Sequence, residues 1–431
     1  MTRILAFCLV LAAAPALAVP PYSPQAIEKP PTEEPLPMFL RVLVNRTGSG
    51  LFLRLPILDL DPNTGVTVGL TPVWVQTSSV TIRFIHAVPV FYNTYAGVTA
   101  GYHLIQYVSK GSTLHFHGSL SQKFDRDAGV EFDTDHLDPV TLAGRPLGLN
   151  VKFAFSKNST LRFFGVGAGS HRRDQTNYTL DSINYRISLR APLTVGSPWS
   201  VKLTQALQAN DVSHGAVESL PELIDRYPEI ALQVTRRRVN ADLRGHLIYD
   251  TRDSGVTTTS GAYAEAFIGA GDMRVERDQS YYRYGAEVRR FLPGGRGKDG
   301  EPNFITAGYV KYEHLVGDVP FWLRPQMGGR YLHRGYGAGR FVDQGVVVFG
   351  AEERFHMGTI PGKRMPVSVW LDPFIGCGTV FRRPDLMRLK YLRPVYGVGL
   401  RLISRPQLVT SAEVGIGQEG PKVFLDVNYS F

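Results

Sequence analysis

Residues 328–354 read GGRYLHRGYGAGRFVDQGVVVFGAEER and join a glycine-rich, cationic loop to a segment with the pattern of a strand. From 344 to 357, apolar side chains recur at every second position except where Glu353 interrupts them. Small, charged or polar side chains, among them Glu352 and Arg354, occupy most of the positions between. A period of two is that of a β-strand. The segment therefore predicts one wall of a barrel with charges inside.

Similar alternating segments continue along the chain, separated by clusters of Gly, Pro, Asn, Asp and Ser. No predominantly apolar run of the mature chain reaches the roughly 18 residues that a spanning helix needs. A chain that crosses a membrane without such helices must form a closed barrel, in which every backbone group has a partner. The sequence thus predicts an all-β fold, a closed antiparallel transmembrane β-barrel.

Sixteen strands are predicted, and the count stays open near 147–167, which reads as one bent strand or as two pieces. An even number places both termini in the periplasm. The long links then lie outside the cell and the short ones inside. The predicted strands are 65–75, 80–92, 95–108, 112–124, 147–167, 180–191, 198–208, 237–250, 261–272, 280–291, 303–315, 344–357, 367–380, 395–403, 408–416 and 423–431. The predicted outer links are 209–236, 316–343 and 381–394, and the short inner links include 358–366 and 404–407.

The amino-terminal region divides into two parts. Residues 1–18 carry one basic residue, an apolar run and the small-x-small sequence Ala16-Leu17-Ala18, which predicts a cleaved secretory signal peptide. Residues 19–54 are rich in proline and poor in apolar side chains, so we expect an extended periplasmic tail. The barrel is expected to occupy residues 55–431.

The carboxyl terminus has the pattern of a strand that faces lipid. Val423, Leu425, Val427, Tyr429 and Phe431 alternate with mostly polar residues, and the chain stops on the aromatic. Apolar-out and polar-in alternation with aromatics at the interface is typical of outer-membrane barrels. The last three of these residues resemble the recognition strand of such proteins; the alternative is an edge strand of a soluble sandwich.

Several stretches resemble the superfamily of BamA and TamA, which contains outer-membrane assembly factors and bacterial surface antigens. Arg334-Gly335-Tyr336 is similar to the motif of the family's sixth loop, which folds inward from the cell surface. The resemblance implies a location in the bacterial outer membrane and a docked loop. Further similar stretches, whose order and spacing match, are LPILDLDPNTGVTVGL (55–70), FFGVG (163–167), YDTRDS (249–254), PFIGCGTVF (373–381) and YGVGLRL (396–402).

The chain departs from the family pattern at the expected partner of the loop. The family usually has an aspartate in a Phe-x-Asp-x-Gly sequence of its thirteenth strand, where this chain has Gly376. By resemblance, we expect Arg334 to dock on the luminal partners Glu352, Arg354 and Asp372. Two arrangements stay open: Asp372 replaces the missing aspartate, or Glu352 carries the pairing alone.

A second departure concerns the periplasmic POTRA domains of family members that fold or export polypeptides. The segment 19–64 is too short and too rich in proline for one such α/β domain. The resemblance therefore implies a short member that assists insertion or transport of proteins or lipids through the seam between its first and last strands, with a periplasmic partner replacing the domain. The alternative is a gated or plugged pore, or a structural surface antigen. Pro72 either loosens the seam or marks the rim.

Other functions have little support in the sequence. No Gly-x-Ser-x-Gly or other nucleophile motif is present, so we expect neither an enzyme nor a cofactor. His115 and His117 share one side of a strand, but a polar lumen wall explains them better than a metal site. The net charge of +9 reflects basic clusters on the predicted outer side, which contact lipid phosphates or form a solvated rim. We expect outer-membrane lipids as partners, and no nucleic acid.

Overall fold

A computed structural model of the chain describes most residues from 44 to 427. The predicted signal peptide, most of the predicted tail, Tyr429 and Phe431 lie outside the described residues. The described ranges are 44–47, 50–61, 65–78, 81–109, 111–123, 125–137, 139–230, 238–274, 279–297, 300–360, 366–404 and 408–427.

Nearly all regular structure is β, which confirms the predicted fold class. Among the described residues, no helix is long and apolar enough to cross a membrane. The strands are β1 Val44–Thr47, β2 Gly50–Asp61, β3 Gly65–Ser78, β4 Thr81–Ala87, β5 Val90–Asn93, β6 Gly97–Ser109, β7 Ser112–Ser121, β8 Arg126–Thr134, β9 Thr141–Leu142, β10 Arg145–Pro146, β11 Gly148–Phe163, β12 Thr176–Pro192, β13 Trp199–His214, β14 Arg238–Asp250, β15 Gly261–Arg274, β16 Gln279–Gly294, β17 Phe304–Val316, β18 Gln326–Met327, β19 Phe341–Val342, β20 Gly345–Ile360, β21 Val367–Phe381, β22 Arg393–Ser404, β23 Leu408–Gly417 and β24 Gly420–Val427. The helical turns are α1 Leu223–Arg226 and the 3-10 turns Arg172–Asp174, Pro228–Ile230, Phe321–Leu323, Pro384–Leu386 and Leu389–Tyr391.

The long strands pair antiparallel with their neighbours in the chain, and β24 returns to lie beside β2, so that the strands form a ring. β4 and β5 are two halves of one strand, interrupted where Pro89 cannot donate a hydrogen bond to the ladder. The small pairs β9–β10 and β18–β19 stand apart from the main sheet. This arrangement is the predicted antiparallel barrel.

The structure differs from the sixteen-strand prediction at two places. The main sheet of the described residues has 20 strands; counting β4 and β5 as one and setting the short β1 aside leaves eighteen positions around the ring. β2 and β8 are the strands that the prediction omitted. Because β8 was left out, β3 to β7 run in the opposite direction to the prediction.

β2 begins at Gly50, inside the range predicted as tail. It belongs to the sheet because Leu51 and Leu53 are buried against Val73 and Val75 of β3. Burial of four aliphatic side chains favours pairing here over an extended tail. The barrel therefore starts before residue 55.

Side chains alternate between the two faces of the ring as a period of two requires. Apolar side chains such as Leu120, Ile268 and Ile375 point outward and are 66–70% exposed. Inward positions hold buried polar and charged groups. The described parts of the predicted outer links lie at one end of the ring, and β20 ends and β21 begins at the other, as do β22 and β23.

Candidate functional site

The segment 317–344, here called the long loop, connects β17 to β20 and folds back into the barrel. Its two arms pair as β18 and β19, with Gln326 opposite Val342. Gly328 and Gly329 have φ angles of 123° and 89°, which L side chains rarely adopt, and they turn the chain toward the lumen. Tyr336 of the predicted motif is fully buried.

Arg334 is the contact between the tip of the long loop and the barrel wall. Its Nη2 donates to Oε2 of Glu352 at 2.9 Å, and its Nη1 donates to Oε1 of Glu413 at 3.0 Å. The guanidinium lies 3.8 Å from the centre of the Phe374 ring. A planar guanidinium can bind two carboxylates and stack on an aromatic at once, which an ammonium cannot. The loop is thus docked on β20, β21 and β23.

Glu352 is the centre of a wider charge cluster. Besides Arg334, it accepts hydrogen bonds from Arg354 at 2.6 Å and from Arg401 at 3.3 Å. Arg401 also donates to Asp372 at 2.7 Å. Three arginines and three carboxylates, all nearly inaccessible to solvent, therefore compensate one another: Arg334, Arg354, Arg401, Glu352, Asp372 and Glu413. Such a buried network stays favourable only while every charge keeps its partners.

The structure also shows how the loop docks without the usual aspartate. Asp372 binds Arg401 of β22 at 2.7 Å. A side chain at Gly376 would lie 3.1 Å from Val395 and near the Tyr309 hydroxyl, which donates to the Leu332 carbonyl of the loop at 3.1 Å. The second carboxylate on Arg334 comes instead from Glu413, on the last but one strand.

Glycines give the motif the space to approach β22 and β23. An ideal Cβ on Gly415 would lie 2.1 Å from the Arg334 carbonyl oxygen, and one on Gly417 would lie 2.5 Å from that of Gly335. Gly335 itself has no room for a side chain against Val395. The backbone of the motif therefore lies directly on the backbone of β23.

Arg340 anchors the outer part of the loop. Its guanidinium binds Glu419, in the turn between β23 and β24, at 2.7 Å and donates to Ser170 Oγ at 2.9 Å. It lies 4.4 Å from the ring centres of both Phe164 and Phe341. Two arginines of one loop thus hold the terminal hairpin β23–β24 at two levels.

His333 lies next to Arg334 and is buried. Its Nε2 donates to the Arg393 carbonyl oxygen at 2.8 Å, and its ring stacks on Tyr336. Burial lowers the pKa of His333 to about 4, and the positive charge of Arg334 adds to this. The docked loop therefore holds a neutral imidazole.

The link 251–260 folds into the barrel from the opposite end. Thr257, Thr258 and Thr259 are buried, and the Asp253 carboxylate accepts a hydrogen bond from the Thr259 backbone. The Thr258 carbonyl accepts a hydrogen bond from Arg354 at 3.3 Å. The charge cluster therefore joins segments that enter the lumen from both ends.

The seam between β2 and β24 differs from all other junctions of the ring. Over 50–61 and 420–427, the two strands are adjacent but form no ladder. β1 instead pairs with the start of β2, from Val44 opposite Leu53 to Thr47 opposite Gly50. Pro72 lies one junction away, in β3, because β2 precedes it; the reading of Pro72 as a seam residue was wrong for that reason.

The remaining predicted residues are placed as follows. His115 and His117 face the lumen beside His103, with ring centres 5.5–6.3 Å apart. No group of three or more potential metal ligands in the described part of the chain is arranged to hold an ion. Val427 ends β24 opposite Thr410.

Arg340, Arg401, Glu413 and Glu419 were not predicted as site residues. Glu413 is the only charged residue of β23. Arg401 is the only charged residue of β22 apart from Arg393, with which that strand begins. A solitary charge at an inward position of a strand was the available signal.

Comparison with known proteins identifies the family to which the chain belongs. A family model described as an Omp85 superfamily domain matches residues 108–412. BamA from Haemophilus ducreyi, in a structure lacking POTRA domains 1–3, is similar with a TM-score of 0.50 and 17% identity, over 82% of this chain and 70% of that one. CdiB from Acinetobacter baumannii aligns with a TM-score of 0.45 and 11% identity, over 88% and 60% of the two chains. No curated protein sequence matches the chain.

Proposed function

Since the chain belongs to the Omp85 superfamily and is a β-barrel of the bacterial outer membrane, we propose that it assists the insertion or transport of proteins or lipids there. The route is the seam between β2 and β24. The role is to bind and guide, without a catalytic step.

The observation that carries the proposal is the unpaired seam. β23 and β24 form a continuous ladder from Thr410 opposite Val427 to Gly417 opposite Gly420. On its other side, β24 forms no ladder with β2 within 50–61 and 420–427. An unpaired strand edge presents a row of backbone donors and acceptors to which another strand can add. A client strand would pair there.

The docked loop supports the proposal that opening of the seam is controlled. Arg334 holds Glu413, in the middle of β23, and Arg340 holds Glu419, in the turn that leads to β24, the strand that borders the seam. Release of the loop would leave both carboxylates without these partners and would free the hairpin to move. We propose that docking keeps the seam in its resting position.

We also propose that a periplasmic partner presents clients to the barrel. Apart from the barrel, the regular structure of the described residues consists of short hairpins and helical turns. A client-binding surface of the POTRA kind is absent from that part of the chain. The end of the ring with the short links is where such a partner would bind.

Quantitative proteomics of the outer membrane tests this function. The protein is depleted, and then restored as the wild type or as Arg334→Ala. We expect a selective fall in the amount of other folded barrel proteins, or a change in the lipids around them. The wild type should reverse this effect, and the variant should not. An unchanged outer-membrane profile after depletion would rule out the assembly function.

One observation favours a gated pore as the second candidate. A polar chamber of about 1090 Å³ lies in the lumen, with Lys152, Arg186 and Arg244 among its lining residues. The segment 322–326 of the long loop borders it, held by Arg283, which donates to the Leu323 carbonyl at 2.7 Å. Single-channel recordings test this candidate: it requires conductance that rises when Arg283→Ala releases the segment.

A further inference from the structure

A second cavity lies on the outer, membrane-facing side of the barrel. This groove has a volume of about 720 Å³ and runs between the faces of β12 to β15 and the small hairpin β9–β10. Its size is within the usual range of ligand pockets, about 300–1,000 Å³. Aliphatic side chains form most of its wall, including Leu142, Leu147, Leu189, Val201, Leu247 and Ala266.

Gly245 makes the floor of the groove. It lies on the outward face of β14, between Leu243 and Leu247, and no atom lies within 4 Å of the position that its Cβ would take. Its register neighbours Leu203 and Ile268 are 51% and 70% exposed. The missing side chain thus leaves a cup with aliphatic walls.

The polar residues that border the groove turn their charged ends away from it. Lys202 Nζ and His246 Nδ1 both bind Glu265, at 2.8 and 2.7 Å, on the luminal side. Arg190 Nε donates to Ser200 at 2.9 Å. The groove therefore offers apolar contact along its length.

Aromatic residues fix the orientation of the groove in the membrane. Trp199 and Tyr249 pair in register near the short-link end, with ring centres 4.9 Å apart. The next outward pair is Val201 with Leu247, followed by Leu203 with Gly245. Aromatic residues mark the level of the lipid headgroups in outer-membrane barrels. The groove runs from that level toward the hydrocarbon core.

A cation lies at the headgroup end. Arg145 of β10 is opposite Leu142, which lines the groove. Its guanidinium is only partly buried, and it donates to the Pro192 carbonyl at 3.5 Å. A neutral carbonyl leaves the positive charge of Arg145 available to an anion.

We propose that the groove binds one phospholipid, with an acyl chain in the cup at Gly245 and the lipid phosphate at Arg145. The apolar length of the groove fits a hydrocarbon chain, and the charge at its end fits a phosphate. This site is separate from the seam and from the docked loop.

Native mass spectrometry of the purified, delipidated barrel tests the site, with dioleoylphosphatidylglycerol as the added lipid. Gly245→Phe fills the cup and should weaken binding about tenfold, since loss of contact with about two methylenes has that effect. Gly118→Phe is the matched control, because Gly118 also faces outward, between Phe116 and Leu120, and has room for a side chain. Equal lipid binding by both variants would overturn the proposal.

The headgroup contact is tested with Arg145→Ala. Affinity for phosphatidylglycerol should fall severalfold, whereas affinity for diacylglycerol with the same chains should not change, because only the first carries a phosphate. Equal effects on both lipids would overturn the assignment of the phosphate to Arg145. Gel mobility before and after heating verifies that each variant is folded. A dimer that excludes lipid would equally contradict the proposal, since a second barrel would then cover the groove.

Discussion

The Arg334 guanidinium and the Glu413 carboxylate lie 3.0 Å apart although 79 residues separate them in the chain. The contact joins the tip of the long loop to the strand next to the terminal strand of the barrel. It means that the position of the loop and the position of the seam are linked by a buried charge pair.

Removal of the arginine should undock the loop. Arg334→Ala leaves Glu352 and Glu413 buried with fewer partners, and breaking a buried ion pair costs about 3–5 kcal/mol. We expect a lower temperature for the loss of heat-modifiable gel mobility and new conductance in planar bilayers. Arg334→Lys keeps the charge but cannot bind both carboxylates in a fork, so it should have an intermediate effect. Unchanged mobility and conductance in Arg334→Ala would refute the docking role.

Substitution of Glu413 alone distinguishes its contribution to loop docking from that of Glu352. Glu413→Gln removes one charge from Arg334, and Arg401 also loses a nearby carboxylate at 3.8 Å. We expect destabilisation of about 1–3 kcal/mol, because the amide keeps a hydrogen bond but not the charge. A double-mutant cycle with Arg334→Ala should give a non-zero coupling energy. Additive effects would mean that the two residues do not interact in solution.

Glycine at position 415 should be required for docking. A methyl group there would lie 2.1 Å from a backbone oxygen of Arg334, so the loop would have to move. Gly415→Ala is expected to lower the unfolding temperature by several degrees and to expose the long loop to protease. Gly245→Ala is the matched control, since nothing lies within 4 Å of its Cβ position. Similar behaviour of the two variants would contradict the tight approach.

The outer anchor should act independently of the charge cluster. Arg340→Ala removes contacts to Glu419, Ser170 and two aromatic rings, and we expect faster proteolysis of the long loop in intact barrels. Arg383→Ala removes only an exposed pair with Asp385, for which about 0–1 kcal/mol is usual. The account fails here if both variants are digested at the wild-type rate.

Docking should also depend on pH through His333. The docked imidazole has a pKa lowered from 6.5 to about 4, so docking has its full stability above pH 6.5 and loses it as the pH falls toward 4. The groups that face it are the Arg334 cation, the backbone carbonyl of Arg393 and the Tyr336 ring, and none of them is a carboxylate that could pair with the imidazolium.

The unfolding temperature of the wild type, measured between pH 7 and pH 5, checks this. It should fall more than that of His333→Gln, which cannot be protonated in this range. Parallel curves for the two proteins would show that His333 does not contribute to the pH dependence.

The sequence was sufficient to predict the fold class and the family. It also singled out Arg334, Glu352, Arg354 and Asp372, which the structure brings into one cluster. Alternation in single strands carries the fold class, and the family resemblance implied the docking of Arg334. Alternation does not show which strands meet across the lumen, so Glu413 was missed although its strand was predicted. β8, RDAGVEFDT, was missed although Ala128, Val130 and Phe132 alternate with Asp127, Glu131 and Asp133, because four charged residues among its nine give it the composition of a link.

Hydrogen–deuterium exchange at the seam tests the central claim that the docked loop holds the terminal hairpin. In Arg334→Ala, the amides of β23, β24 and β2 should exchange markedly faster than in the wild type, while those of β6 and β7, on another wall of the barrel, should not change. Exchange at the seam that is identical in the two proteins would contradict the claim, because the loop would then have no control over the strands that border it.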